Sequence, residues 1–203
     1  MSSIRLLSEK RWERKLNIHT SGRDDSAEDG NRFPYEPTPY SVLERLVENH
    51  VITAADHVID YGSGKGRVAF FLRHQTSCRV TGVEFNQLFV FDAEENKQRY
   101  SGDPAGIRFL LQPAETYEIP DDVSVFWFFN PFSVNLLRSV LARISASLAR
   151  NPREMKLLFY YPSDEYVSLL MTCDELQFDD EIDCRDLFPG KNNRERIIIF
   201  RTI

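Results

Sequence analysis

Cysteine is scarce in this chain and follows no pattern. Cys78, Cys173 and Cys184 are the three present, and no CxxC pair occurs, so neither a disulfide framework nor a zinc module is suggested. Histidine offers little more. His19, His50, His57 and His74 share no spacing that suggests catalysis. No stretch approaches the roughly 18 apolar residues of a membrane span, and Met1 to Leu7 contains no long apolar targeting core. A cytoplasmic protein with no membrane partner is expected. Positive charge is also in deficit: 25 Lys and Arg stand against 31 Asp and Glu, for a net charge of −6. That argues against a protein whose main task is to coat nucleic acid. Glycine is sparse as well, with nine in 203 residues, yet three of them fall within residues 62–66. What the chain does have is a composition 42% hydrophobic and 12% aromatic, enough for one sizeable core.

The three clustered glycines mark the stretch that organises the chain. Val58 and Ile59 read as a short buried parallel strand. Gly62, Gly64 and Gly66 follow in a turn, and Val68 to Leu72 open a helix with a wide apolar face. Such a turn lets backbone approach a ligand, and the helix N–H groups point into it. A dinucleotide site would need G-x-G-x-x-G, whereas the spacing here is G-x-G-x-G. A phosphate-binding loop would need Ser or Thr after Gly-Lys, and Lys65 is followed by Gly66 and Arg67, so that reading fails. A glycine turn that holds no ligand remains the plain alternative.

Asp60-Tyr61-Gly62-Ser63-Gly64-Lys65-Gly66 resembles motif I of the class I, seven-strand S-adenosylmethionine methyltransferases. The resemblance implies that Asp60 fixes the loop or the methionine part of the cofactor, while Gly62, Ser63, Gly64 and Gly66 make room for it. A second strand, residues 78–84, ends in Glu84. An acid there holds the two hydroxyls of a nucleoside ribose, the family's motif II role. Phe85 would lie against adenine. After a third strand over 107–112, the Ala114 backbone N–H would reach the adenine ring. Pro113 stands where the family places an acid, and Glu115 is a substitute for it. The very apolar fourth strand, 123–129, ends in Asn130-Pro131-Phe132-Ser133. This tetrapeptide is similar to motif IV, [N/D]-P-P-[Y/F], of amino-group methyltransferases, one proline short. By that likeness Asn130 contacts the cofactor's reactive end, Asn130 and the Pro131 carbonyl orient an acceptor amino group, and Phe132 walls it.

Ahead of motif I, Tyr35-Glu36-Pro37-Thr38 is similar to an element of some seven-strand protein lysine methyltransferases. Tyr35, Thr38 and Tyr40 are therefore candidate substrate contacts. Their plain role is to cap and pack a helix over 41–50, opened by Thr38 or Pro39. Residues 1–34 read as an N-terminal basic arm, partly mobile. Its helix carries Ile4, Leu6, Leu7, Trp12 and Leu16 on one stripe and is either solvated or a substrate-docking lid. Residues 35–203 read as the methyltransferase domain. A helix over 87–100 would turn Leu88, Phe89, Phe91 and Ala93 to the sheet. A further helix is expected over 133–150, and strands near 155–161, 177–184 and 196–201 complete the set.

The alternation predicts an α/β fold: a doubly wound, mostly parallel seven-stranded sheet, its last strand antiparallel, with helices on both faces. The implied function is S-adenosylmethionine-dependent methyl transfer to an amino nitrogen of a protein side chain, lysine or glutamine. A nucleic-acid base methyltransferase, a cofactor-binding module without catalysis and an NAD-dependent oxidoreductase are the alternatives. No metal is expected, and the chain is expected to be a monomer or a weak homodimer.

Overall fold

The computed structural model describes residues 3–25, 30–190 and 192–203, apart from the side chains of residues 3–6. Ile4 and Leu6 of the expected stripe, and residues 26–29 of the polar loop, lie outside that description.

Seven strands form one sheet: β1 (His57–Tyr61), β2 (Arg79–Glu84), β3 (Ile107–Leu111), β4 (Val125–Phe128), β5 (Lys156–Tyr160), β6 (Leu176–Asp183) and β7 (Arg196–Thr202). Their order is β3-β2-β1-β4-β5-β7-β6. β1 pairs in parallel with both β2 and β4, whereas β7 runs antiparallel to β5 and β6. β1, β4 and most of β5 are buried on both faces, which is why they read as unbroken apolar runs. The order reverses between β1 and β4, and in open sheets that switch point is where ligands bind. β6 sits at the edge, and its exposed Asp179, Asp180 and Glu181 discourage pairing with another sheet.

The helices divide between the two faces of the sheet. Helices α1 (Ser3–Leu16), α2 (Tyr40–Glu48), α3 (Arg67–Thr76) and α4 (Gln87–Arg99) cover one face. Helices α5 (Val134–Arg150) and α6 (Asp164–Leu170) cover the other. Ser133 caps α5 by accepting a bond from the Leu136 N–H, and Ser163 caps α6 in the same way.

Three expectations need correction. The first helix is not a solvated arm: Trp12, Leu16 and Ile18 are buried in the core, and the Trp12 ring meets Phe71 at 4.8 Å and Tyr40 at 6.0 Å. Leu7 is off that stripe and exposed. In α4 the inward residues are Phe89, Ala93 and Asn96, spaced by four and three, while Leu88 and Phe91 are 69% and 62% exposed. The Asn86 side chain caps the Leu88 N–H and sets that rotation. Finally, α2 is opened by Pro39 as expected but spans Tyr40–Glu48, not 41–50, and has no side-chain cap.

Candidate active site

β1 delivers Asp60 and the glycine turn to the carboxyl edge of the sheet. Gly62, Gly64 and Gly66 take φ values of 73°, 51° and 88°, the left-handed region that side chains avoid. The turn is crowded from above. A Cβ on Gly64 would run into the Tyr35 ring, and one on Gly62 would stand 2.7 Å from Pro131. Gly64→Val therefore combines backbone strain with displacement of Tyr35. The variant is expected to lose measurable binding of S-adenosylhomocysteine in a calorimetric titration, and an unchanged affinity would remove the turn from the site.

Glu84, at the end of β2, folds back onto this turn. Its Oε2 accepts the Gly64 N–H and its Oε1 the Asn86 N–H, each at 2.9 Å. A carboxylate offers about four lone-pair positions, so Glu84 keeps acceptor capacity for a ligand hydroxyl. Burial raises the Glu84 pKa, while backbone N–H bonds from Asn86, Gly64 and Phe85 and the charge of Arg32 oppose that rise. Asp60 is more extreme. It is 3% exposed and its Oδ2 has no hydrogen-bond partner. Burial first, then the nearby charge of Glu84, pushes its pKa up to about 8. A buried acid without a partner calls for a cationic or hydrogen-donating ligand.

These groups share one crevice. Asp60, Gly62, Ser63, Glu84, Phe85 and Ala114 line it from below, and Pro131, Phe132, Tyr35 and Thr38 from above and beside. Residues 31–38 form a strap across it. The strap pairs with the motif IV backbone: Phe33 N–H donates to the Pro131 carbonyl at 3.2 Å, and Ser133 N–H donates to Asn31 at 2.8 Å. Tyr35 exchanges backbone bonds with Asp24 and gives its hydroxyl to the Thr20 carbonyl at 2.6 Å. Beside Phe85 the Arg32 guanidinium lies 4.6 Å from the ring centre and pairs with Glu115 at 2.9 Å.

Several expected residues sit elsewhere. Gly64 and Gly66 line no crevice wall; the first lies under Tyr35 and the second under Phe109 and Phe70. Tyr40 faces the core, not an acceptor. It is fully buried between Trp12 and Phe71, and its hydroxyl binds Glu13. The Pro131 carbonyl spends one lone pair on Phe33. Asn130, at φ 41°, is not among the residues lining this crevice and instead lines a second one on the far side of the strap, its Oδ1 buried without a partner. Phe132 stays in the first crevice, edge-on to Phe128.

Other crevice residues were not anticipated. Trp127 is the register partner of Asp60 on β4, and its buried indole N–H has no partner; in sequence it reads only as core. Arg67 opens α3 and is 3% exposed. Its five N–H donors reach Thr20 Oγ1, Glu9, the Thr38 carbonyl, Glu13 and Ser21. A cation in the first turn of a helix opposes the helix dipole, and that was the available signal. No histidine or cysteine lines either crevice. No cluster able to hold a metal occurs among the described residues. No helix there is long and apolar enough to cross a membrane.

No protein-family model matches the chain, and no curated protein matches it by sequence. Solved structures do match by shape. An RNA methyltransferase from Salinibacter ruber, solved with S-adenosyl-L-homocysteine, superposes with a TM-score of 0.54 at 18% identity, over 82% of this chain and 92% of that one. The magnesium protoporphyrin IX methyltransferase of Synechocystis, with bound S-adenosylmethionine, gives 0.55 at 13% identity, over 80% and 76%. A TehB-like S-adenosylmethionine-dependent methyltransferase from Corynebacterium glutamicum gives 0.53 at 15%, over 78% and 85%. The chain has the class I methyltransferase fold. Within that fold, the glycine turn, Glu84 and Asp60 occupy the carboxyl edge at the switch point between β1 and β4.

Proposed function

We propose that this chain is an S-adenosylmethionine-dependent methyltransferase acting on an amino nitrogen of a protein side chain. The observation that supports it most is the joined pair of Glu84 and the Gly64 N–H beside the unpartnered Asp60. The remaining acceptor capacity of Glu84 suits a ribose hydroxyl, and Asp60 suits a cationic tail. Ser63, whose buried hydroxyl also lacks a partner, and the Trp127 N–H are further contacts for that tail. Phe85 and Ala114 would flank the base.

The bound sulfonium supplies an activated methyl group. The protein's share is alignment of the acceptor and exclusion of water. The strap over residues 31–38 covers the crevice and serves the second purpose. Asn130, on the wall of the adjoining crevice, serves the first by accepting an N–H from the acceptor. Asn130→Gly keeps the left-handed backbone but removes the amide. It should leave S-adenosylhomocysteine affinity unchanged and lower turnover roughly 100-fold, the scale of a misplaced reactant. Equal turnover would reduce Asn130 to a corner residue.

The wider test is thermal. S-adenosylmethionine should raise the melting temperature and NAD should not; the reverse would make the chain an oxidoreductase. Labelled cofactor incubated with a cell lysate, split into protein, RNA, DNA and small-molecule fractions, then tests the acceptor. Label in protein supports this reading and label in nucleic acid favours base methylation. Cofactor binding with no label anywhere would mean a module that does not transfer methyl.

A further inference from the structure

We propose that the second crevice binds the methyl acceptor and that the acceptor is the ammonium end of a lysine side chain. This deepens the methyltransferase reading and rests on it. The crevice opens between the strap, Asn130 and the start of β7. It shares Phe33, Pro34, Glu36 and Phe129 with the first crevice, so the two adjoin along those residues.

Its chemistry selects a cationic donor. The walls are aromatic: the Phe129 ring lies 4.7 Å from Tyr160 and 6.4 Å from Tyr161, and such faces attract an ammonium. The cations present are engaged within the protein. Arg194 donates to the Tyr161 and Pro162 carbonyls at 3.1 and 3.0 Å and lies over the Tyr161 ring at 4.2 Å. Arg23 pairs with Asp25 at 2.7 Å and Glu36 at 3.6 Å. Tyr160 gives its hydroxyl to Glu195 at 2.6 Å. Among the lining residues the acceptors are the Glu195 carboxylate, which also takes the Tyr160 hydroxyl, and Asn130, whose buried Oδ1 has no partner. A glutamine amide would bring a carbonyl oxygen against those acceptors, and a nucleotide would bring phosphates toward Glu36 and Glu195. A lysine brings only N–H donors, on an apolar stem that suits aromatic walls. The ammonium first releases one proton to solvent. The freed lone pair then forms the N–C bond while the C–S bond breaks, its electron pair going to sulfur to leave a neutral thioether and a methylated ammonium.

The full chain, saturated with S-adenosylhomocysteine, is titrated with Nα-acetyl-lysine methylamide and with the norleucine and glutamine analogues, each followed by NMR. The lysine probe should bind at least about ten-fold tighter than either analogue, the scale of one charge-assisted hydrogen bond. Glu195→Gln should remove about ten-fold of that affinity and leave S-adenosylhomocysteine binding unchanged. Equal affinity for the three probes, or preference for the glutamine analogue, overturns the proposal. Acid hydrolysis of lysate protein methylated with labelled cofactor gives a second readout that needs no variant. Label recovered as Nε-methyl-lysine supports the assignment. Methylamine released from glutamine, label in nucleic acid, or no label in protein overturns it. A wild-type chain that fails to bind S-adenosylhomocysteine fails one step earlier and removes the methyltransferase reading itself. Failure with that ligand bound removes only the lysine.

Discussion

Arg67→Ala should lower the folding stability by about 3–5 kcal/mol, the usual cost of removing one partner from a buried ion pair. The guanidinium is 3% exposed, and the Glu9 and Glu13 side chains that flank it are 15% and 13% exposed. Removing it strips five hydrogen bonds and leaves two shielded carboxylates side by side. For a chain of this size a loss of that order lowers the melting temperature by roughly 10 °C. Arg67→Lys should recover only part, because a lysine has three rotatable donors where five are used in a plane. Glu13→Ala alone should cost less, and the two changes should not add. In contact, they should couple by about 1 kcal/mol or more. Strict additivity would mean that the cluster is not a unit. Cofactor affinity should fall with stability in Arg67→Ala, since the same guanidinium ties α1, Thr20 and Thr38 to the helix that follows the glycine turn. Calorimetry across the three single variants and the Arg67→Ala, Glu13→Ala double variant measures stability, coupling and affinity.

How far the sequence was legible differs between scaffold and site. The sheet was legible because β1, β4 and β7 are buried on both faces and leave continuous apolar runs. The glycine turn was legible because positive φ values tolerate few other residue types, and Glu84 because it closes the strand beside that turn. The rotation of helices was not. Leu88 and Phe91 are as apolar as Phe89, and only the cap at Asn86 and the sheet beneath decide which of them turn inward. Tyr40 failed for a related reason. A pattern that places two tyrosines near a ligand says nothing of which way each ring points, and the first turn of α2 aims this one at Trp12 and Phe71. The surplus of basic residues before position 24 drew attention from Glu9 and Glu13, whose partner lies more than fifty positions onward in the chain. Pairing at that distance leaves no local trace.

Asp60→Asn should move stability and binding in opposite directions, with pH controlling the size of both. The carboxyl has an ordinary value of 3.8 and is pushed up to about 8 in the folded chain, by burial and then by Glu84. Between those two values the unfolded chain has lost a proton that the folded chain retains. Rising pH therefore favours unfolding across that window, the reverse of an acid whose pKa folding depresses. The wild type should lose stability from pH 4 toward pH 8, on the order of a few kcal/mol in total. An asparagine carries no such proton, so the variant should melt above the wild type at pH 8, with the difference closing toward pH 4. A ligand with a cationic tail beside Asp60 prefers the ionised carboxylate, so wild-type affinity for S-adenosylmethionine should rise with pH toward about 8. The variant should bind at least ten-fold more weakly, the worth of one hydrogen bond to a charged group, and lose the acid-linked rise. Melting curves and titrations at three pH values measure both trends. A stability difference that does not change with pH would mean that Asp60 is ionised in the folded chain. Equal affinity in the variant would mean that no cation meets it.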